Sequence, residues 1–212
     1  MHNTHYPVLS FEEARKLFPV TESCIYLDSA HYSQFSLETR RRLIEFIDEY
    51  TFTNKNLSLV NMRLSDSLKL ISAELIGADK DDIIITSSTT HGLNIFANGV
   101  HLQKGDCVAY ADSEFPALVY PWLNQEKIRG IKNVMIPSEN GRIKTEDIEN
   151  TIKNHSVKVL TISSVEFLGF RNDLETIGRI CRKYNCFFVV DAIQSAGICS
   201  VNVKELGIDF FS

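Results

Sequence analysis
The sequence has no long hydrophobic run. No apolar stretch exceeds the five residues from Cys186 to Val190, whereas a spanning helix needs roughly 18, so no membrane span is expected. The opening MHNTHYPVLS has neither a basic start nor a hydrophobic stretch, and no signal peptide is read there. Basic clusters are lacking too. The 22 Lys and Arg stand against 27 Asp and Glu for a net charge of -5, which argues against nucleic acid as a partner. Cysteine is sparse: the five, at 24, 107, 181, 186 and 199, are an odd number in a chain too large to need a disulfide framework. Cys181 and Cys186 have no second Cys/His pair of zinc-ligand spacing nearby, so no metal site is expected. The thiols read as buried or half-buried and reduced, and the cytoplasm as the location. Internal repeats, low-complexity tracts and Pro/Gly-rich linkers are also missing.

What is present is an ordinary globular composition, 44% hydrophobic and 23% charged over 212 residues. A chain this apolar buries enough surface to offset its ordering entropy, which excludes disorder. At roughly 150 residues per domain, the length suggests one large domain or one with an appendage.

Ser10 before FEEARKLF reads as the cap of a short helix stopped by Pro19. CIYL follows as a brief strand, then a polar segment from Asp28 to Gln34. Ser36 caps a second helix to about Tyr50, in which Arg40, Arg41 and Arg42 read as a solvated face, because a helix start disfavours cations. From Leu57 to Gly77, Leu57, Val60, Leu64, Leu68, Ile71 and Leu75 recur at intervals of three and four, one apolar stripe on a helix. Gly77 is placed to end it. Beyond residue 80, apolar runs at IIIT (83–86), CVAYA (107–111), NVMIP (133–137), VKVLTIS (157–163), CFFVV (186–190) and IDFF (208–211) read as strands. Helical segments lie between most of them: Thr89 to Asn98, Ala117 to Arg129, Thr145 to Lys153 and Asp173 to Tyr184. Continuously apolar strands alternating with helices predict an α/β fold with a parallel sheet covered on both faces.

Ligands of open α/β sheets gather at the carboxyl ends of the strands, so the residues there are the candidates. After IIIT, Ser87-Ser88-Thr89-Thr90 opens a helix. Hydroxyls and free amides at a helix start suit a phosphate, although Ser88 or Thr89 also reads as a plain cap. No G-x-G-x-x-G and no G-x-x-x-x-G-K-[ST] is present, which removes the usual dinucleotide and P-loop readings. After CVAYA, Phe115 stands where an aromatic can stack on a flat ring or merely form a hydrophobic rim. After CFFVV comes Asp191, with Gln194 three residues on. A carboxylate behind an apolar strand needs a cation or protonated heterocycle as partner, or else it caps the next turn. A phosphate cradle, a stacking ring and an acid for a ring nitrogen together describe a pyridoxal phosphate site.

On these residues the sequence resembles the class V aminotransferase family of fold-type I pyridoxal phosphate enzymes, from about Cys24 to Ser212. The stretches that carry the resemblance are IYLDSA, TSSTTHGLN, GDCVAYADSEFPALVYPW, GFRNDLETIG and VVDAIQSAG followed by VNVKELGIDFF. The EFP…VYPW form is closer to the isopenicillin N epimerase-like branch than to typical cysteine desulfurases, which carry His where Phe115 stands. The resemblance implies a three-layer αβα large domain with a mostly parallel sheet. It implies pyridoxal 5'-phosphate as cofactor, an amino acid as substrate and a homodimer in the complete enzyme. It also implies that Thr89 and Thr90 bind the phosphate, Phe115 stacks on the ring, Asp191 pairs with the ring nitrogen and Gln194 hydrogen-bonds the ring oxygen. Glu166 departs from the pattern, since relatives carry Asn there as a donor. An ionised Glu cannot donate, so Glu166 is either protonated or turned elsewhere.

None of the twelve lysines occupies the position of the family's Schiff-base lysine, which would follow Ser212. No catalytic residue is therefore assigned. The expectation is a fragment that is inactive alone, with residues 1–80 a helical segment and 81–212 an incomplete cofactor-binding domain lacking its C-terminal small domain. A strand that relatives insert beside IIIT would be missing, leaving Ile83 to Thr86 unpaired and the chain marginally stable or prone to aggregate. In the complete enzyme the chemistry would be transamination, epimerisation or desulfuration. The alternatives are a non-catalytic cofactor-binding or partner-docking module, or one half of a split enzyme. A nucleotide-binding Rossmann or receiver-like domain shares the alternation but lacks the glycine-rich turn.

Overall fold
In the computed structural model, residues 9–29 and 32–212 are described. The opening read for a signal peptide lies, through residue 8, outside them, as does part of the polar segment at 28–34. The chain divides into two compact units, residues 1–63 and 64–212.

In the first unit, Ser10 and Glu13 form a reciprocal capping box that starts α1 (Phe11–Lys16), since each satisfies a backbone donor the helix leaves free. A short α2 (Val20–Ser23) follows, and Ser36 caps α3 (Leu37–Phe52) by accepting from the Thr39 amide. Arg41 and Arg42 pair with Glu38 and Glu45 along α3, all at least half exposed or nearly so, the solvated face expected. CIYL is no strand. Ile25 and Leu27 are exposed, and extended backbone without a ladder partner is not a strand. Cys24 is exposed as well, against the expectation of burial.

α4 (Leu57–Ile76) ends at Gly77, whose φ of +71° is the left-handed turn that glycine permits. Its apolar stripe is largely uncovered: Leu64, Leu68, Ile71 and Leu75 are all exposed and only Ala73 is buried.

The second unit holds a five-stranded, all-parallel sheet in the order β2-β1-β5-β6-β7. Its strands are β1 (Cys107–Ala111), β2 (Lys132–Ile136), β5 (Val157–Ser163), β6 (Phe187–Asp191) and β7 (Phe210–Phe211). Alternate residues face opposite sides of the sheet, and the core divides accordingly. Val108, Tyr110, Val159 and Val189 pack with Leu93 and Ala97 of α5 (Thr89–Gly99) and Leu118 and Trp122 of α6 (Pro116–Arg129). Ala109, Leu160, Ile162, Phe188 and Val190 pack with Ile148 and Ile152 of α7 (Thr145–His155) and Ile177 and Ile180 of α8 (Leu174–Tyr184). This is the three-layer αβα architecture with a parallel sheet. A small hairpin, β3 (Ser138–Glu139) with β4 (Arg142–Ile143), and α9 (Val203–Leu206) complete the elements.

IIIT differs from its expectation as a strand. Lys80–Asp82 is a single 3-10 turn, and Ile83 to Thr86 run extended without joining the sheet. The amides of Ile84 to Thr86 donate no hydrogen bond among the described residues. A groove of about 870 Å³ is lined by Ile83, Ile84 and Thr86 together with Phe210 and Phe211 of β7, among others. The outer edge of β7 pairs with no strand among the described residues.

Candidate functional site
Four strand ends meet at the carboxyl edge of the sheet, and a web of polar groups ties them together. Glu114, in the loop after β1, accepts from the Ser163 amide at 2.7 Å and shares a 2.5 Å hydrogen bond with the Ser163 hydroxyl at the end of β5. Asn172 donates to the Ser163 carbonyl at 2.7 Å and to Glu166 Oε1 at 2.6 Å. The hydroxyls of Ser164 and Ser195 are hydrogen-bonded, and the Ser164 amide donates to the Asp191 carbonyl at 2.8 Å. Ser212, after β7, accepts from the Ala192 amide at 2.7 Å, and its hydroxyl donates to the Thr89 carbonyl at 3.3 Å. The start of α5 is thereby fastened to the residue after Asp191. Gly92 makes the approach possible, because a Cβ there would lie 2.5 Å from Ser212 Oγ.

The expected phosphate site lies at the first turn of α5. Ser88 is the cap, accepting from the His91 amide, so the plain-cap reading holds for it. Thr89 and Thr90 are the first helical residues, and their hydroxyls and amides have no hydrogen-bond partner among the described residues. Free amides at the positive end of an 11-residue helix, with two free hydroxyls, form a cradle for an anion.

Phe115 caps α6 and remains 48% exposed. Its ring centre lies 5.7 Å from that of Phe167, with 35° between the planes. Phe167 belongs to a tight loop after β5, closed by a Val165–Arg171 bridge and by the Glu166 amide donating to the Phe170 carbonyl at 2.7 Å. The stacking candidate therefore already has one aromatic neighbour.

Asp191 ends β6 and is 4% exposed. Its Oδ1 accepts from the Ile193 amide at 3.0 Å, the turn-capping role read as the alternative. No lysine, arginine or histidine among the described residues pairs with it. Burial pushes its pKa upward, partly offset by the Ile193 amide. Gln194 is half-buried in the turn that follows, and its amide makes no hydrogen bond among the described residues. Glu166 is 1% exposed, with Oε2 sealed from solvent and without a partner. Desolvation raises its pKa against the Asn172 hydrogen bond. The structure thus leaves Glu166 buried rather than turned to solvent.

The site fits the cofactor that the sequence implied. A buried acid without a cation, free helix-start donors and an exposed aromatic are what a phosphorylated, protonated pyridine requires. The large groove lies to one side of this edge: it touches Ser88, Thr89 and Ile193 but not Asp191, Phe115 or Glu166. Sequence reasoning missed Glu114, Ser163, Asn172, Ser195 and Phe167. A signal existed for two of them, since Glu114 directly precedes the stacking candidate and Ser163 ends an apolar strand.

The sequence model of the aminotransferase class-V family matches residues 25–212. A probable cysteine desulfurase of Methanothermobacter thermautotrophicus is 30% identical over 206 residues, which cover 94% of this chain and 51% of that protein. Another from Borreliella burgdorferi is 31% identical over 92% of this chain and 50% of its own. Among solved structures, the apo cysteine desulfurase of Thermococcus onnurineus superposes with a TM-score of 0.84 at 29% identity, over 97% of this chain and 54% of that one. The Escherichia coli cysteine desulfurase CsdA, at 23% identity and a TM-score of 0.83, shows the shared fold. The chain spans about half the length of the relatives it matches.

Proposed function
The chain belongs to the aminotransferase class-V family, and from that membership we propose that it binds pyridoxal 5'-phosphate at the carboxyl edge of its sheet. The enzyme it serves would act at the α- or β-carbon of an amino acid, by transamination, epimerisation or desulfuration. The observation that carries this reading is Asp191, a buried carboxylate at a strand end without a cation of its own. A protonated ring nitrogen would complete the pair. Thr89 and Thr90 would hold the phosphate, Phe115 would cover the ring, and Gln194, with its amide free, would hydrogen-bond the ring oxygen.

The bound cofactor supplies an electron sink for a carbanion on the amino acid. The protein's share would be to keep that ring protonated through Asp191 and to cover it with Phe115. We assign no catalytic residue among these 212. The lysines whose ion pairs are seen, 55, 80, 144, 183 and 204, are engaged with Glu49, Asp66, Glu139, Glu149 and Asp79, not with Asp191. Negligible turnover by these residues alone is part of the proposal, and a non-catalytic module that holds the cofactor non-covalently is its alternative. A cytoplasmic location and a homodimeric complete enzyme are part of the same proposal.

Titration of the purified chain with pyridoxal 5'-phosphate, followed by induced circular dichroism, tests it. We expect saturable binding that Thr89→Val weakens, and a bound spectrum that Asp191→Asn shifts toward the unprotonated ring. Wild-type binding and spectrum in Asp191→Asn would overturn the site.

One observation favours a second reading, the partner-docking or split-enzyme alternative. Ile84 and Thr86 line a groove that also touches β7, whose outer edge pairs with no strand among the described residues, and no hydrogen bond from the amides of Ile84 to Thr86 is seen among those residues, as an inserted strand would require. Activity that returns only on mixing with a second, lysine-bearing polypeptide would favour it.

A further inference from the structure
We infer that Glu114 is a positioning residue of the cofactor pocket: its buried carboxyl latches the loop that carries Phe115 to Ser163 at the end of β5. This rests on the cofactor reading for its purpose, though the latch itself is visible in the fold. Glu114 is 9% exposed and immediately precedes Phe115, whose carbonyl accepts the Leu118 amide as α6 begins. Both of its oxygens are spent on one residue, Ser163, through the amide at 2.7 Å and the hydroxyl at 2.5 Å. Ser163 in turn is the last residue of the central strand β5, clamped from its other side by Asn172. A two-point contact between a loop and a buried strand end fixes both the position and the rotation of the loop. The next residue, Phe115, therefore starts from a fixed backbone position, and its ring lies beside that of Phe167, as a stacking residue needs.

The chemistry of the latch follows from what faces it. Glu166 after β5 and Asp191 on β6 are the charged groups that act on it, and both are acids; Asp112 acts on Glu166 in turn. Burial, together with Glu166 and Asp191, raises the Glu114 carboxyl to about 8 despite its two hydrogen bonds from Ser163. At neutral pH burial therefore favours the protonated latch, with the Ser163 hydroxyl donating to Glu114 Oε2 at 2.5 Å and the Ser163 amide to Oε1. A neutral Glu114 leaves Asp191 free to hold the charge that a protonated ring requires. Separating neighbouring acids in this way lets one edge hold a neutral and a charged carboxyl at the same pH.

The test uses the full chain with Glu114→Gln, Glu114→Ala and Ser163→Ala variants. Without cofactor, infrared difference spectra of wild type minus Glu114→Gln should show a protonated carboxyl band at pH 7. The band should fade as pH passes about 8 and shift in Ser163→Ala, which has lost the hydroxyl. Its absence at pH 7, or its indifference to Ser163→Ala, would overturn the latch. With pyridoxal 5'-phosphate, Glu114→Ala should weaken binding on the order of tenfold and diminish the induced circular dichroism, as misplacement of a contact group does. Glu114→Gln, which keeps a donor and an acceptor for Ser163, should retain both at neutral pH. Wild-type affinity and dichroism in Glu114→Ala would refute the positioning role. If the wild type itself bound no cofactor, the proposed function would fail, while the infrared readout would still decide the latch.

Discussion
At the scale of single residues, the carboxyl edge combines groups that differ in how visible they are along the chain. Phe115 is half-exposed, so truncating it removes ring contact without opening the core. Phe115→Ala should cost about 1 kcal/mol of cofactor binding, roughly a fivefold rise in Kd, measurable by fluorescence titration. Glu114 gives a prediction about stability. Its pKa is raised to about 8 in the fold from the ordinary carboxyl value of 4.5, so between those values the native state binds more protons than the unfolded chain. Its contribution is fully present below the lower value and is lost as pH rises through the upper. Urea midpoints should therefore show Glu114→Gln gaining on wild type from pH 5 to pH 9, and parallel curves would contradict the raised pKa. Asp191, Thr89, Thr90, Phe115 and Gln194 were legible as candidates because strand ends and helix starts can be located from hydrophobic pattern. The Glu114–Ser163 contact was not, because it joins residues 49 apart in sequence.

At the scale of elements, helices and central strands follow local pattern closely. α5, α6, α7 and α8 begin and end within two residues of their expected bounds, since caps and apolar periodicity are local properties. The short α2, α9 and the β3–β4 hairpin carry too little pattern to be read. Packing between elements adds constraints no local pattern shows. Gly178 in α8 is an example: a Cβ there would lie 1.9 Å from the Leu206 carbonyl oxygen of α9. Gly178→Ala should therefore destabilise by about 3 kcal/mol through overpacking, although alanine favours an isolated helix by about 1 kcal/mol over glycine. Chemical denaturation measures the balance, and a stabilised variant would show that α9 yields freely.

At the scale of the whole molecule, much apolar surface is uncovered. No described residue before Ala73 is buried, and Ile84 is 67% exposed beside the open groove. Extended backbone with free donors and apolar side chains pairs readily with other chains. The chain should accordingly bind a hydrophobic dye and self-associate, and Ile84→Lys should reduce both in light scattering. A monodisperse wild type that excludes the dye would contradict this. No helix among the described residues is long and apolar enough to cross a membrane, in line with the missing hydrophobic run. The α/β class, the order of helices and strands and the candidate cofactor residues were determined by the sequence itself, because each rests on periodicity, caps or motifs within a few residues. Two things were decided only by tertiary structure: that the α4 stripe remains uncovered, and that Glu114, Glu166 and Asp191 share one buried edge. Whether an extended segment becomes a strand, or an apolar face becomes a core, depends on a partner distant in sequence, and a carboxyl's protonation depends on the charges that folding brings beside it.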